Sequence, residues 1–232
     1  MKQIKKAVFL LLVIFLLAGG ILVGSGYKMY RDALDQKSLA ERISEVQANP
    51  GYTPVSDLPQ TYLDAVIAVE DHRFYKHHGI DLLAIGRAAW NDLNSLSLKE
   101  GGSTITQQLA KNLYFTQEKK LTRKIAEVFM AFKLEADYDK EEILEFYVNS
   151  IYFGDGYYCV KDACKGYFGK DPVQMTAYEA TLLAGIPNAP SIYSPTQNPD
   201  LAARRQQYVL LQMYKYGYLN KAECAAILEN EI

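Results

Sequence analysis

Cysteine and histidine are scarce in this chain, and their scarcity limits the disulfide and metal chemistry that it can support. There are three residues of each type among 232. An odd number of cysteines allows at most one internal disulfide, and Cys159 and Cys164 are spaced too widely on a regular helix for easy bridging. No Cys-x-x-Cys pair is present and the histidines lie far from the cysteines in sequence, so zinc is not expected. We expect buried free thiols and no protein metal site.

An excess of one charge is also missing, as are strand alternation, internal repeats and low-complexity tracts. The net charge is −2, so no overall field favours nucleic acid and any anion site must be local. Hydrophobic residues make up 49% and aromatic residues 12% of the chain, which is typical of a folded domain and not of a disordered one. Because almost no segment alternates with a period of two, the sequence predicts a mainly α fold.

One long uncharged run stands at the N-terminus, over residues 7–24. Its length just spans the hydrocarbon core of a bilayer. The preceding lysines predict that residues 1–6 are a cytoplasmic tail and that the rest of the chain lies outside the cytoplasm. The alternative is a cleaved signal peptide, because small residues follow the run. The length favours a retained anchor, and both interpretations export the domain.

The remaining sequence divides into a linker and one domain. Residues 25–50 are charged and compatible with a helix, and we interpret them as a stalk that ends at Asn49-Pro50-Gly51. Residues 51–232 then form a single domain. Asp57 is expected to cap a helix that ends near Glu70, and Asp81 to cap a helix from Leu82 to about Leu93. Further helices are predicted over 104–114, 120–138, 140–152, 160–167, 176–185, 200–216 and 221–229.

Residues 91–102 are polar and predicted to be a mobile loop. The apolar side chains that flank or lie in this loop predict contact with a membrane surface. They are Leu82, Leu83, Ile85, Trp90, Leu93, Leu96 and Leu98. The alternative is that Leu82, Ile85 and Trp90 belong to the core.

An acidic cluster follows the first helix of the domain. Glu70 stands where an apolar helix meets a polar turn, a setting that can raise the pKa of a carboxyl group towards that of a useful base. The alternative is an ordinary carboxylate paired with Arg73 or Lys76. Taken alone, the cluster favours the alternative.

A glycine-to-helix segment supplies a local anion site. Gly101 and Gly102 allow the backbone to approach a ligand closely, and Ser103 or Thr104 then opens a helix whose first N–H groups favour an anion. The polar side chains that share one side of this helix suit phosphate oxygens: Ser103, Thr104, Gln107, Gln108 and Lys111. The alternative is a capped surface helix with a solvated polar face.

A group of cations lies further along the chain at Lys119, Lys120, Arg123 and Lys124, followed by Glu127. The functional interpretation is a second cationic wall with a carboxylate within it. The alternative is a solvated helix face in which Arg123 and Glu127 form a surface pair of small energetic value.

Five motifs in order resemble the family-51 peptidoglycan glycosyltransferases, the lysozyme-like polymerases of bacterial cell walls. The resemblance covers residues from about Asp57 to the C-terminus. The motifs are Glu70-Asp71-x-x-Phe74-x-x-His77-x-Gly79; Gly101-Gly102-Ser103-Thr104-Ile105-Thr106-Gln107-Gln108 with Lys111-Asn112; Arg123-Lys124-x-x-Glu127; Lys140-x-x-Ile143-Leu144-Glu145-x-Tyr147-x-Asn149; and Leu182-Leu183-Ala184-Gly185-Ile186-Pro187-Asn188-Ala189-Pro190-Ser191.

The resemblance implies a lysozyme-like, two-lobed all-α domain after one transmembrane helix. It further implies that lipid II is the acceptor, that a lipid-linked glycan chain is the donor, and that undecaprenyl diphosphate leaves with inversion at the donor. Glu70 matches the family's base and Glu127 its second carboxylate. The substrate-binding residues implied are Asp71, Phe74, His77, Ser103, Thr104, Gln107, Gln108, Lys111, Lys119, Arg123, Lys124 and Asn188.

Two departures from the family pattern are small. Asn188 stands where many members have lysine, and Val148 replaces a common leucine. The only Ser-x-x-Lys begins at Ser25 and no Lys-Thr-Gly follows, so the chain resembles the monofunctional members. No cofactor is required, while a divalent cation is compatible. The membrane and other cell-wall synthesis proteins are compatible partners, and nucleic acid is not expected.

Two rival functions fit parts of this pattern. A lysozyme-like glycosidase would need an acid paired with a base or nucleophile around a sugar bridge, but it would not need clustered cations. An inactive membrane-anchored scaffold would not need both Glu70 and Lys111.

Overall fold

The computed structural model describes residues 2–95, 102–116 and 120–229, and helices dominate these ranges. No strand is present among them apart from an isolated bridge between His78 and Ile80, so the all-α prediction is confirmed. The α-helices are α1 Lys2–Gln36, α2 Leu39–Gln47, α3 Gln60–Glu70, α4 Leu82–Ser95, α5 Ile105–Tyr114, α6 Leu121–Asp137, α7 Lys140–Val148, α8 Val160–Phe168, α9 Ala177–Gly185, α10 Pro199–Lys215 and α11 Lys221–Glu229. Short 3-10 turns occupy Val55–Asp57, Phe74–Lys76, Pro172–Gln174 and Ile186–Asn188.

Helix α1 has the length and composition of a membrane span. Its most apolar 18-residue window has a mean hydropathy of 2.9 and no buried residue. The helix continues without a break past the predicted boundary at residue 24 and packs along α6. At the point of closest approach Gly26 is buried, and Tyr27 meets Phe129 edge-on with ring centroids 5.2 Å apart.

Residues 25–50 do not form a simple stalk. Ser38 caps α2 in a capping box with Glu41, and Leu39 and Ile43 then lie one turn apart on the buried face of this helix. Both side chains are 3% exposed and belong to the main core. The spacing of two aliphatic residues four positions apart is enough to draw this short helix into the domain.

Two groups of helices form the core of the domain. Helices α3, α9 and α10 pack against one another, while α5 packs against α6 and α7. The largest fully buried side chains include Tyr62, Phe74, Ile105, Leu109, Met130, Tyr147, Phe146 and Phe153. The ends of α3 and α5 are therefore held in place by a well-packed core.

The predicted ends of several helices differ from the structure. Pro59, not Asp57, precedes α3, and Asp57 ends the 3-10 turn before it. Asp81 caps α4 as predicted, because its Oδ1 accepts hydrogen bonds from the N–H groups of Leu83 and Ala84 at 2.9 and 3.1 Å. Helix α7 stops at Val148, where the side chain of Asn149 turns to bond the backbone of Thr53.

The three cysteines are free thiols; Cys159 and Cys164 are buried as predicted, whereas Cys224 is only partly buried. Cys159 caps α8, and its sulfur accepts a hydrogen bond from the N–H of Asp162 at 3.5 Å. A Cβ at Gly51 would lie 2.6 Å from that sulfur, so the thiol has a packing role beside the Asn49-Pro50-Gly51 turn.

Candidate active site

Glu70 ends α3 at the junction of the two helix groups. Its side chain is 8% exposed, because it follows a helix whose preceding residues, Val66, Ile67 and Ala68, are all buried. Gln108 of α5 donates a hydrogen bond of 2.8 Å from Nε2 to Glu70 Oε2. The other oxygen, Oε1, accepts no hydrogen bond from the described residues.

Burial raises the pKa of the Glu70 carboxyl group, as the apolar helix before it predicted. Desolvation is the largest cause, and the hydrogen bond from Gln108 and the charges of Arg205 and Lys111 act in the opposite direction. A carboxylate that is buried but still faces cations has the properties of a general base.

The N-terminus of α5 is held by protein groups. Thr104 and Gln107 form a capping box, in which Thr104 Oγ1 accepts from Gln107 N–H and Gln107 Oε1 accepts from Thr104 N–H, both at 3.1 Å. The Thr104 hydroxyl donates to Gly79 O at 2.6 Å. Both side chains are 2% exposed. The polar atoms of both side chains already have protein partners and shape the helix end, and contact of these side chains with a ligand stays a prediction.

Asp71 completes this arrangement from the end of α3. Its Oδ2 accepts a hydrogen bond of 3.1 Å from Ile105 N–H and lies 2.9 Å from His77 Nε2. Asp71 and His77 are 7% and 8% exposed, and Phe74 is fully buried. The first motif thus joins α3 to α5 through buried contacts, and Phe74 lacks the surface to touch a substrate.

A cluster of cations surrounds Glu127 on α6. Arg123 pairs with Glu127 Oε1, and Lys124 Nζ lies 3.1 Å from Glu127 Oε2. Lys124 also donates to Ser103 Oγ at 2.6 Å. The Glu127 side chain is 2% exposed, which excludes the alternative of an exposed surface pair. This buried carboxylate holds the side chains of Arg123 and Lys124 in place.

Lys111 of α5 links this cation cluster to Glu70. Burial lowers the pKa of Lys111, the nearby Arg123 and Lys124 charges lower it further, and the charges of Glu127 and Glu70 raise it. Lys111 follows Gln108 by three positions on α5, so it lies on the same side of the helix as the residue that contacts Glu70. The structure brings together Glu70, Gln108, Lys111, Ser103, Arg123, Lys124 and Glu127.

Among the described residues, Asn188 makes no contact with this group that the structure shows. Lys119 lies outside the described residues, as do Gly101, Leu96 and Leu98 of the predicted loop, whose first part is the end of α4. Asn188 is exposed at the end of the 3-10 turn Ile186–Asn188. Asn188 follows shortly after Gly185, whose carbonyl oxygen accepts a hydrogen bond from Arg205.

Sequence reasoning missed two residues that contact this site. Arg205 of α10 places Nη2 3.7 Å from Glu70 Oε1, and the buried Tyr147 of α7 donates a hydrogen bond of 3.3 Å to Gln108 Oε1. Arg205 stands four positions before the buried Val209 on α10. A basic residue on the buried ridge of an amphipathic helix was the signal that could have found it.

Comparison with known proteins identifies the family of this chain. A family model described as Transglycosylase matches residues 35–214. A Cupriavidus necator protein assigned as a transglycosylase is 38% identical over 99% of this chain and 98% of its own length. Penicillin-binding protein 1F of Bacillus subtilis is 46% identical over 73% of this chain, and penicillin-binding protein 1A of Neisseria gonorrhoeae is 46% identical over 78%.

The chain spans 24% of the Bacillus subtilis protein and 23% of the Neisseria gonorrhoeae protein, so the similarity to these two covers one region of each. The family model covers most of the chain and begins at residue 35, before the predicted domain start at residue 51. These findings confirm what the five motifs predicted: the chain belongs to the transglycosylase family and carries a peptidoglycan glycosyltransferase domain.

Proposed function

We propose that this chain polymerises lipid II into glycan strands at a membrane surface. The acceptor is lipid II, and the donor is a glycan chain linked to undecaprenyl diphosphate. One observation carries the proposal: α5 contacts Glu70 through Gln108, and Ser103 just before α5 contacts Lys124 of the cation cluster, so a base and a cation cluster flank the same helix. A glycosyl transfer that releases a diphosphate requires both.

Glu70 acts as the base in this proposal. It takes the proton from the acceptor 4-hydroxyl, whose oxygen bonds to the donor anomeric carbon from the face opposite the leaving group. The carbon–oxygen bond to the diphosphate breaks, and its electron pair leaves on the diphosphate. Burial of Glu70 supports this role, because a carboxylate with a raised pKa is a stronger base than an exposed one.

The leaving diphosphate is stabilised by the cations on α5 and α6. A diphosphate leaves as a stable anion and needs positive charge more than a proton donor. Lys111, Arg123 and Lys124 supply that charge, and Glu127 orients Arg123 and Lys124. Ser103 contributes through its bond with Lys124. This arrangement favours a glycosyltransferase over a lysozyme-like glycosidase, whose chemistry does not need a cation cluster.

The N-terminal helix supports a location at the cell membrane. We propose that residues 1–6 remain in the cytoplasm, that residues 7–24 cross the bilayer and that the domain lies outside, in keeping with the lysines before the apolar run. Both substrates carry polyprenyl chains, so an anchored domain meets them at the surface where they reside. Other cell-wall synthesis proteins are compatible partners of a domain in this location.

The cofactor requirement follows from the same geometry. Because three cationic side chains face the proposed leaving group, we propose that no cofactor is required. A divalent cation bound to the diphosphate is compatible with the site. Polymerisation measured with EDTA and with added Mg²⁺ tests this point.

Polymer formation from purified lipid II tests the proposed function. The full chain in detergent micelles is expected to convert lipid II into glycan strands that a gel separates by length, with release of undecaprenyl diphosphate. The Glu70→Gln protein serves as the control and is expected to form no detectable polymer in the same time. Cleavage of finished strands without polymerisation would favour the glycosidase, and binding of lipid II without turnover would favour a scaffold.

A further inference from the structure

The side chain of Arg205 is fixed beside Glu70 by several independent contacts. It is 13% exposed, and its Nε donates a hydrogen bond of 3.2 Å to Gly185 O. The guanidinium lies over the rings of Tyr208 and Tyr193, at 4.9 and 5.6 Å from their centroids. The aliphatic stem packs on Gly185, where a Cβ would lie 3.0 Å from Arg205 Cγ. Its position is therefore determined by the fold and not by the ion pair alone.

The two oxygens of Glu70 have different surroundings. Oε2 accepts the hydrogen bond from Gln108, whereas Oε1 is 3.7 Å from Arg205 Nη2 and accepts no hydrogen bond from the described residues. A separation of 3.7 Å is too long for a hydrogen bond but short enough for strong charge attraction. Oε1 is also shielded from solvent, so the Arg205 charge acts on it with little screening by water.

We propose that Arg205 is a positioning residue that keeps Glu70 ionised through charge attraction to Oε1, with no hydrogen bond to that oxygen. This inference rests on the proposed function and gives the guanidinium one part in it. After Glu70 has taken the acceptor proton, the adjacent guanidinium favours release of that proton to water, which restores the base for the next addition.

Other charged and titratable groups also face Glu70, and their effects must be separated from that of Arg205. Lys111 and Gln108 face it from α5, Asp71 follows it in the chain, and Tyr147 faces it from α7. Burial raises the pKa of Glu70; Gln108, Arg205 and Lys111 lower it, and Asp71 raises it. Loss of the Arg205 charge should therefore raise the pKa of Glu70 while the other groups stay in place.

The pH dependence of kcat/KM for lipid II polymerisation by the full chain tests this inference. Its acidic limb reports the pKa of the base in the free enzyme. Arg205→Met keeps the stem on Gly185 but removes the charge, and Arg205→Lys keeps the charge but loses the bond to Gly185 O. Arg204→Gln is the matched control, because Arg204 is an exposed neighbour on α10.

We expect the acidic limb of Arg205→Met to move upward by roughly one pH unit or more, since an opposite charge at this distance has an effect of that size. Arg205→Lys should have a lower kcat with the limb close to that of wild type, and Arg204→Gln should match wild type throughout. A folded Arg205→Met protein that loses activity equally at every pH, with an unmoved limb, would overturn the inference and leave Arg205 as a packing residue.

Two further measurements keep the result decisive. If circular dichroism shows that Arg205→Met does not fold, Arg205→Lys decides, and a limb shifted upward in that variant overturns the inference. Titration of the Glu70 carboxyl carbon by ¹³C NMR in wild type and Arg205→Met reports the pKa without turnover. Wild-type protein that makes no polymer would contradict the proposed function, while an unmoved Glu70 titration in Arg205→Met would contradict the role of Arg205.

Discussion

Gly26 of α1 lies directly against Ile125 of α6. A Cβ built on Gly26 would lie 2.5 Å from Ile125 Cγ2, closer than two such atoms can approach. Beside this contact, the rings of Tyr27 and Tyr30 both lie against Phe129. The helix that has the composition of a membrane span thus packs directly on the helix that carries Arg123, Lys124 and Glu127.

Gly26→Ala is expected to destabilise the protein although alanine favours helix. The added methyl group overlaps Ile125, and overpacking of this kind costs about 1–3 kcal/mol. Gly24→Ala is the matched control, because a Cβ there meets nothing within 4 Å and alanine should stabilise the helix slightly. Thermal unfolding of both variants in the same detergent checks the prediction. Equal melting temperatures for the two would show that α1 does not pack on α6 in solution.

Glu70→Gln should leave the fold intact and lower polymerisation by at least roughly 100-fold, the low end for a positioned general base. The amide keeps the shape of the side chain but cannot take a proton. Initial rates of polymer formation measure the effect, with circular dichroism to confirm folding. Near-normal turnover in the folded variant would remove Glu70 from the role of base.

The same variant should also change how stability depends on pH. The pKa of Glu70 is raised in the folded state, so the folded protein binds the proton more tightly than the unfolded chain does. The resulting stability is fully present below the unfolded pKa and is lost as pH rises through the folded pKa. We therefore expect the melting temperature of Glu70→Gln to rise relative to wild type as the pH increases from about 4. A difference that shrinks with rising pH would contradict the sign.

Lys111→Ala and Arg123→Ala should lose activity through poorer handling of the donor. In the proposed mechanism both cations face the charge that develops on the leaving diphosphate, so the loss of either should cost a few kcal/mol of transition-state stabilisation if the contact is dry. Lys133→Ala is the control, because Lys133 forms a partly exposed pair with Asp137 on the same α6. Kinetics measured over a range of donor concentrations separate the effects. Unchanged kinetics in the two site variants would mean that solvent screens these charges.

Tyr147→Phe should lower activity roughly 2- to 10-fold, the worth of one ordinary hydrogen bond. The hydroxyl of Tyr147 donates to Gln108 Oε1 and so turns the amide nitrogen towards Glu70. Tyr62→Phe provides the control, because the buried Tyr62 hydroxyl has no hydrogen-bond partner among the described residues. Rates and melting temperatures of both variants are to be compared. A larger loss of activity in Tyr62→Phe than in Tyr147→Phe would refute this role of the Tyr147 hydroxyl.

The domain itself should bind membranes through α4. Leu82, Leu83 and Trp90 are 71%, 64% and 67% exposed, so the alternative that Leu82 and Trp90 belong to the core is wrong. A truncated protein that starts at Ser25 keeps the Gly26 contact and is expected to bind vesicles. Leu82→Ser with Leu83→Ser should weaken that binding.

Leu211→Ser controls for the loss of an exposed leucine, since Leu211 is 56% exposed on α10. Co-sedimentation with neutral and anionic vesicles measures binding. If the truncated protein stays wholly in solution with both, residues 7–24 alone hold the enzyme at its substrate.

The sequence was sufficient for the features that depend on local pattern. Hydrophobic periodicity predicted the helices, a long uncharged run predicted the membrane-spanning composition of α1, and Asp81 capped α4 as its position indicated. The motifs also predicted the family, because each motif is a short pattern of neighbouring residues. Glu70 and Lys111 belong to two of these motifs.

Only the tertiary structure decided which polar residues face the site and which support it. Asp71, His77, Thr104 and Gln107 have the residue types of ligand contacts, yet each is buried with partners that sequence spacing does not reveal. Arg205 comes from a helix far along the chain and reaches Glu70 because α10 packs against α3. Hydrogen-bond partners depend on how helices dock, and docking depends on packing across the whole core, which no local pattern in a sequence specifies.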